Sequence, residues 1–369
     1  MNITFLIGNG FDLNCGLKTS YKDVYVGYCE TPSQSDLIRE FKEDIEDDFK
    51  KNKGGKLERW GDFEVAMAGY MKKFKSEQEF LTCLRDFKNY LNQYLLTVDS
   101  EFGEIINYIR DSLYGEMKDS LFSFYKGINN NTTYAIENQQ ISNRGNRISS
   151  NYKAIIFNYT SVFEKLCNIR NKGGFALPNI DTIHIHGVLN SNVVLGMDSS
   201  SQLTDLKFKL SSKGKRAFDK NFFNESFDRR RKEAALDAIN GSDVICVFGM
   251  SLGISDLTWR TTLLDWISQN EQAHLFIYKH NMSNMKVWSA DEKMDYEEDA
   301  KNDLLLNDWN INISATDTYF DRIHIPCGKS IFNIKPIVEN YKSELEEEKE
   351  EFRKQLESNK NRPKENAIN

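Results

Sequence analysis

Four short stretches of small and polar residues follow directly on apolar runs, and each carries groups that could do chemistry at the end of a strand. Gly8-Asn9-Gly10-Phe11-Asp12 follows Ile3-Thr4-Phe5-Leu6-Ile7. Glycines in such a turn let the backbone approach a ligand, and the start of the next helix offers N–H groups and a positive dipole end to a phosphate. The spacing is GxG without the third glycine of GxGxxG, so a plain strand-to-helix turn explains it equally well. Phe157-Asn158-Tyr159-Thr160 places an amide at a strand end, where the alternative role of Asn158 is to cap a helix starting near Ser161. In His184-Ile185-His186-Gly187 the two imidazoles are at i and i+2, on one face of a strand. No further ligand at metal spacing accompanies them, which leaves His186, before a glycine turn, as the acid–base candidate. Phe248-Gly249-Met250-Ser251-Leu252 joins a glycine that permits close approach to a serine able to bond a ribose or phosphate. Each is weak alone; four at four strand ends is the convergence that a nucleotide site requires.

The elements that must position these groups are legible in the hydrophobic pattern. Short apolar β-prone runs are predicted at Ile3–Ile7, Lys153–Phe157, Thr182–His186, Val193–Leu195, Asp243–Phe248 and His274–Tyr278, with a late edge strand at Arg322–Ile325. Helical patterns lie between several of them, so the predicted fold is α/β, a Rossmann-like, doubly wound and mainly parallel sheet. From about Lys22 to Tyr125 no strand pattern is found. Phe80, Leu84, Phe87, Leu91 and Leu95 recur at helical spacing, which predicts a large helical insertion after the first strand, packed as a cap over the cleft. The expected organisation is an α/β domain from 1–21 and 150–335, a helical insertion over 22–128, a polar surface loop over 129–149, and a charged C-terminal helix with a disordered tail over 336–369.

Composition bounds the function. At 369 residues the chain exceeds the ~250–300 at which one core stops growing, so one large domain with an insertion and two domains are both open. Its net charge is −7, and basic residues are interleaved with acidic ones, which excludes an obvious duplex nucleic-acid footprint. Arg229-Arg230-Arg231-Lys232 reads as a solvated helix face. The six cysteines form no CxxC and no zinc-spaced cluster with histidine, so reduced buried thiols, a cytoplasmic setting and no metal are expected. No signal peptide and no membrane span are expected.

Taken together and in order, Gly8–Asp12, Gly16-Leu17-Lys18-Thr19-Ser20-Tyr21, Trp60-Gly61-Asp62-Phe63-Glu64, Phe157–Thr160, Ile185-His186-Gly187 and Phe248–Leu252 resemble the AbiH family of bacteriophage abortive-infection proteins. A more distant resemblance is to sirtuins and sirtuin-like NAD-cleaving defence enzymes. Gly8, Gly10, Phe11, Gly16 and Leu17 fit the spacing of the sirtuin opening, Asn158 corresponds to its ribose-binding Asn, His186-Gly187 to its catalytic His-Gly, and Gly249-Met250-Ser251 to its later nucleotide loop. Asp12 stands where sirtuins have Ser, Thr160 replaces an Asp, and the four-Cys zinc module is absent, so the resemblance does not extend to protein deacylation.

What the resemblance implies is a sirtuin-like fold and an anti-phage effector that cleaves NAD or a related nucleotide at its N-glycosidic bond. Asn158 would hold the ribose, His186 would act as base, and Asp12 would stabilise the ribosyl cation. Gly8, Asn9, Gly10, Phe11, Gly249 and Ser251 would cradle the nucleotide. It also implies a phage-derived trigger or a defence-system partner, and a homo-oligomer. The rival readings are a nucleotide-binding sensor without hydrolysis, acting through a partner, and a nuclease-type toxin. Trp60, Asp62 and Glu64 could enter the site from the insertion; the preferred reading makes Asp62 a cap and Trp60 a core anchor.

Overall fold

The computed structural model describes residues 1–51, 60–126, 130–145, 150–191, 193–198, 203, 205–227, 229–253, 256–283, 285–286, 289–311 and 319–360. Six strands form one sheet: β1 (Asn2–Ile7), β2 (Asn151–Ile156), β3 (Ile180–His184), β4 (Val244–Phe248), β5 (His274–Tyr278) and β6 (Ile323–His324). Their order is β3-β2-β1-β4-β5-β6 and every neighbouring pair is parallel. This is the order of the doubly wound dinucleotide-binding folds, with the reversal of strand order between β1 and β4. The expected parallel sheet and its late edge strand are borne out.

β1 shows why the sheet needs cover on both sides. Ile3, Phe5 and Ile7 enter one core, while Leu6 enters the other. Between them Thr4 accepts a hydrogen bond from Ser242 at 2.7 Å, which settles its hydroxyl inside the protein. The short α1 (Gly10–Asn14) follows β1. Then come α2 (Tyr21–Glu30), α3 (Asp36–Lys51), α4 (Trp60–Met71), α5 (Glu77–Tyr108), α6 (Arg110–Ser123) and α7 (Asn130–Gly145) before β2. No strand occurs between β1 and β2 among the described residues.

This long helical stretch divides between two cores. Phe80, Leu84, Phe87, Leu91 and Leu95 of α5 pack in a cap core with Tyr28 of α2, Phe41 of α3 and Tyr70 of α4. Further along the same helix Phe102 and Ile106 join the sheet's core, as do Leu113, Met117 and Leu121 of α6. The cap therefore ends within α5, and the rest of the predicted insertion is a covering layer of the sheet. The opposite sheet face is covered by α11 (Arg229–Asn240), α12 (Leu257–Gln269) and α14 (Ala290–Asn302). α8 (Val162–Cys167), α9 (Ser212–Phe218), α10 (Lys220–Phe227), the short α13 (His280–Ser283) and the C-terminal α15 (Ile334–Lys360) complete the fold.

Two expectations are corrected. Residues 130–145, predicted as a polar loop, form helix α7. Its Asn- and Thr-rich sequence favours helix weakly, but Ile136 is inserted into the sheet's core and holds it there. Val193–Leu195 is not a strand. Its apolar character comes from burial: Leu195 fills the cap core, while the Val194 N–H reaches back to the His186 carbonyl at 2.9 Å. The expected disordered tail falls mostly in 361–369, outside the described residues.

Candidate active site

The strand ends bring together a small buried polar cluster. Asp12, on α1, is 1% exposed. It accepts a hydrogen bond from the Asn158 amide at 2.8 Å and one from the Thr160 hydroxyl at 2.6 Å. Burial pushes its pKa up to about 7, against those two hydrogen bonds, with smaller contributions from the negative charges of Asp99 and Glu164. The Asp12 carboxyl is thus hydrogen-bonded on both oxygens and poised near neutrality. The other face of the Asn158 amide is different: its Oδ1 is buried and has no hydrogen-bond partner in the structure. A buried carbonyl oxygen left in this state costs on the order of 1–3 kcal/mol, which a ligand hydroxyl would relieve.

β3 ends at His184 and the chain turns at Gly187, where φ is +83°, so His186 lies beyond the strand and the two rings have different partners. The ring of His184 bridges the Asn158 carbonyl, at 3.2 Å from Nδ1, and the Glu164 carboxylate on α8. His186 stands edge-to-face against Phe157, ring centroids 5.4 Å apart, and hydrogen-bonds the Phe157 backbone. Burial, and next the Lys220 ammonium, hold its pKa well below the usual histidine value. The imidazole is therefore neutral, and a weak base. So the histidines at i and i+2 brace consecutive residues of the β2 end, Phe157 and Asn158.

Behind His186 lies an ion pair that sequence reasoning missed. Lys220 Nζ is 2.8 Å from Glu64, both side chains 5% exposed. Burial works against the lysine's charge, but Glu64 and Asp256 outweigh it and hold its pKa above the ordinary value. Glu64 also accepts the Gly196 N–H at 3.2 Å. Glu64 was visible in the Trp60–Glu64 stretch; Lys220 had no sequence signal, since nothing in Asp219-Lys220-Asn221 separates it from a surface lysine. The side chains of Trp60 and Asp62 lie outside the described residues.

The glycine turns acquire a structural cause. Gly8 and Gly10 donate their N–H groups to the carbonyls of Phe248 and Gly249, each at 2.9 Å, and Phe11 donates to Gly8. A Cβ on Gly10 would stand 2.5 Å from the Gly249 Cα, and one on Gly249, where φ is +72°, 2.5 Å from the Phe11 nitrogen. The two turns thus interlock backbone to backbone at the strand-order reversal. These three N–H groups are spent inside the protein, so the expected phosphate cradle cannot be built from them. The Asn9 amide is likewise engaged, donating to the Thr19 carbonyl at 2.8 Å. Phe11 is fully buried, edge-on to Phe163, Phe248 and Phe332, so its side chain anchors α1 and is not available to a ligand. Ser251 is exposed at the rim, one residue before the buried Leu252, whose φ is +49°.

Among the described residues no group of three or more potential metal ligands occurs, and no helix is long and apolar enough to cross a membrane. No curated protein matches the chain. The family model described as bacteriophage abortive infection AbiH matches residues 4–278, a span from β1 to the end of β5 that contains every residue of the cluster.

Proposed function

Because the chain belongs to the bacteriophage abortive infection AbiH family, we propose that it is an anti-phage effector with a sirtuin-like core, and that the cluster at the ends of β1, β2 and β3 binds NAD or a related nucleotide and hydrolyses its N-glycosidic bond. The observation that carries this reading is the pairing of Asp12, poised near neutrality, with Asn158, whose buried Oδ1 has no partner.

In such a reaction the bond between the ribosyl carbon and the pyridinium nitrogen breaks, and its electrons leave with neutral nicotinamide. The leaving group needs no proton. What the chain must supply is a grip on the ribose and a base for the attacking water. Asn158 Oδ1 accepts a ribose hydroxyl, held in place by the brace of Glu164 and His184 behind its backbone. Asp12, whose carboxyl titrates near neutrality, takes the water proton in its ionised form as the new C–O bond forms, and its negative charge favours the developing ribosyl cation. His186 stays neutral beside Lys220 and serves as a hydrogen-bond acceptor. The base role expected for His186 passes to Asp12 on the difference between their surroundings.

The test is release of nicotinamide from NAD by the purified chain, run beside Asp12→Asn and Asn158→Ala. Loss of a general base lowers turnover by ~10²–10⁴-fold with affinity largely retained. A second reading, a nucleotide sensor without hydrolysis, is favoured by the interlocked glycine turns, which leave little backbone for phosphate. It gives no nicotinamide with the wild type and phage protection that survives Asp12→Asn.

A further inference from the structure

On the far side of the loop that carries His186 there is a second cleft, of about 590 Å³, between the cap and α9–α10. Among the described residues its charged lining is all of one sign. Arg85 and Lys88 reach it from α5 and Lys213 from α9, with no carboxylate among the described lining residues, in a chain whose net charge is −7. Three amides, Asn89, Asn92 and Asn190, stand with them. The same elements also give it apolar lining, from Leu84, Val193 and Ala217 with the ring of Phe223.

We propose that this cleft is a binding site for a phosphorylated small molecule with a flat apolar part, a nucleotide by chemical class, separate from the Asp12 cluster. The cations and amides would take the phosphate and sugar, and the apolar lining the base. Three observations support it. The Lys88 ammonium bonds the Ala217 carbonyl at 2.8 Å, and no ion pair to it occurs among the described residues. Burial lowers its pKa to about 8, against the attraction of Glu64, so a bound anion would settle a charge that the fold leaves poorly compensated. Finally, the rim is built to hold shape. Asn190 adopts a φ of +60°, and its N–H donates to the Asn92 side chain at 3.0 Å, which ties the loop to α5.

The site bears on the first one through that loop. Val193 lines the cleft, the next residue bonds the His186 carbonyl, and Gly196 bonds Glu64, the partner of Lys220. An occupant of the cleft therefore touches the segment that sets the surroundings of His186.

The experiment uses the full chain with ADP as probe. Hydrogen exchange is followed with and without ADP, and affinity is measured by calorimetry for the wild type, Lys88→Gln, and Lys88→Gln with Lys213→Gln. The expected result is slowed exchange over 81–92 and 188–196, and at least a tenfold loss of affinity in the double variant. Circular dichroism and thermal melting confirm that each variant is folded, and Lys88→Arg, which keeps the charge, restores binding. Protection confined to the turns at 8–12 and 249–253, affinity indifferent to the two lysines, or no ADP binding at millimolar concentration overturns it. None of these outcomes depends on whether the Asp12 cluster cleaves NAD.

Discussion

A carboxyl group that titrates near neutrality inside a protein makes stability depend on pH, and the sign follows from which state holds the proton. For Asp12 the folded chain has a pKa of about 7, against the ordinary 3.8 in the unfolded chain. Below about pH 4 both states are protonated. Between 4 and 7 the unfolded chain ionises while the folded one keeps its proton, so stability falls as pH rises, by up to about 1.4 kcal/mol per pH unit. Above 7 both are ionised and the loss is complete. Denaturant unfolding at pH 5 and pH 8 should therefore show the wild type losing stability that Asp12→Asn keeps; equal losses in the two proteins would mean that Asp12 ionises freely. The same group should put an inflection near pH 7 in the turnover profile, absent from the residual activity of Asp12→Asn. At the other buried charge, Lys220→Met should cost on the order of 3–5 kcal/mol, because it leaves Glu64 buried without its counter-charge, and Lys220→Met with Glu64→Leu should recover much of it. Thermal melts of the three proteins check this.

At the level of elements, the glycine turns give a prediction opposite in character to a simple ligand-approach argument. Gly10→Ala and Gly249→Ala should lower the melting temperature of the free protein, since each new methyl collides with the backbone of the facing turn. Gly69→Ala and Gly115→Ala are the controls. Both lie inside helices with nothing within 4 Å of the added carbon, and they should be neutral or stabilising by up to ~1 kcal/mol. Melting curves of the four variants decide it. The same turns show what a sequence can and cannot disclose. Strands β1, β2, β4 and β5 were legible because a strand covered on both faces is a continuous apolar run. Asp12, Asn158 and His186 were placed because such runs end in small and polar residues. The error at Val193–Leu195 has the same origin: an apolar triplet buried in the cap core carries the signature of a strand. α7 was missed because its sequence is polar, and Ile136 rather than a repeating apolar pattern seats it on the core. The interlock of Gly8 and Gly10 with Gly249, and the pairing of Glu64 with Lys220, join positions more than 150 residues apart, and no local rule reaches them.

For the molecule as a whole, α5 is the member that joins cap to sheet. Its 32 residues, about 48 Å at 1.5 Å each, run from one core into the other. At the seam Asp99 accepts the Ser161 N–H at 2.9 Å and pairs with Lys165 at 2.6 Å. Cap and sheet should accordingly unfold together. Calorimetry is expected to give one transition with equal calorimetric and van't Hoff enthalpies, and two resolved transitions would show that the seam is weak. All six cysteines are free and five are buried, with burial raising their thiol pKa values. A thiol reagent should label the native protein slowly, and all six positions only after denaturation.

The central place of β1 also has a consequence for how the chain is made. Its neighbours on either side are β2, starting at Asn151, and β4, starting at Val244. At a synthesis rate of about 5–20 residues per second, β1 waits on the order of ten to fifty seconds after leaving the ribosome before its second partner exists. Until β2 emerges both edges of this apolar strand are open and only the intervening helices can fold, because their contacts are local, and until β4 emerges one edge stays open. Nascent chains halted before Val244 should therefore hold a protected α2–α5 unit and be prone to aggregate through Asn2–Ile7, and chains halted with β5 emerged should not.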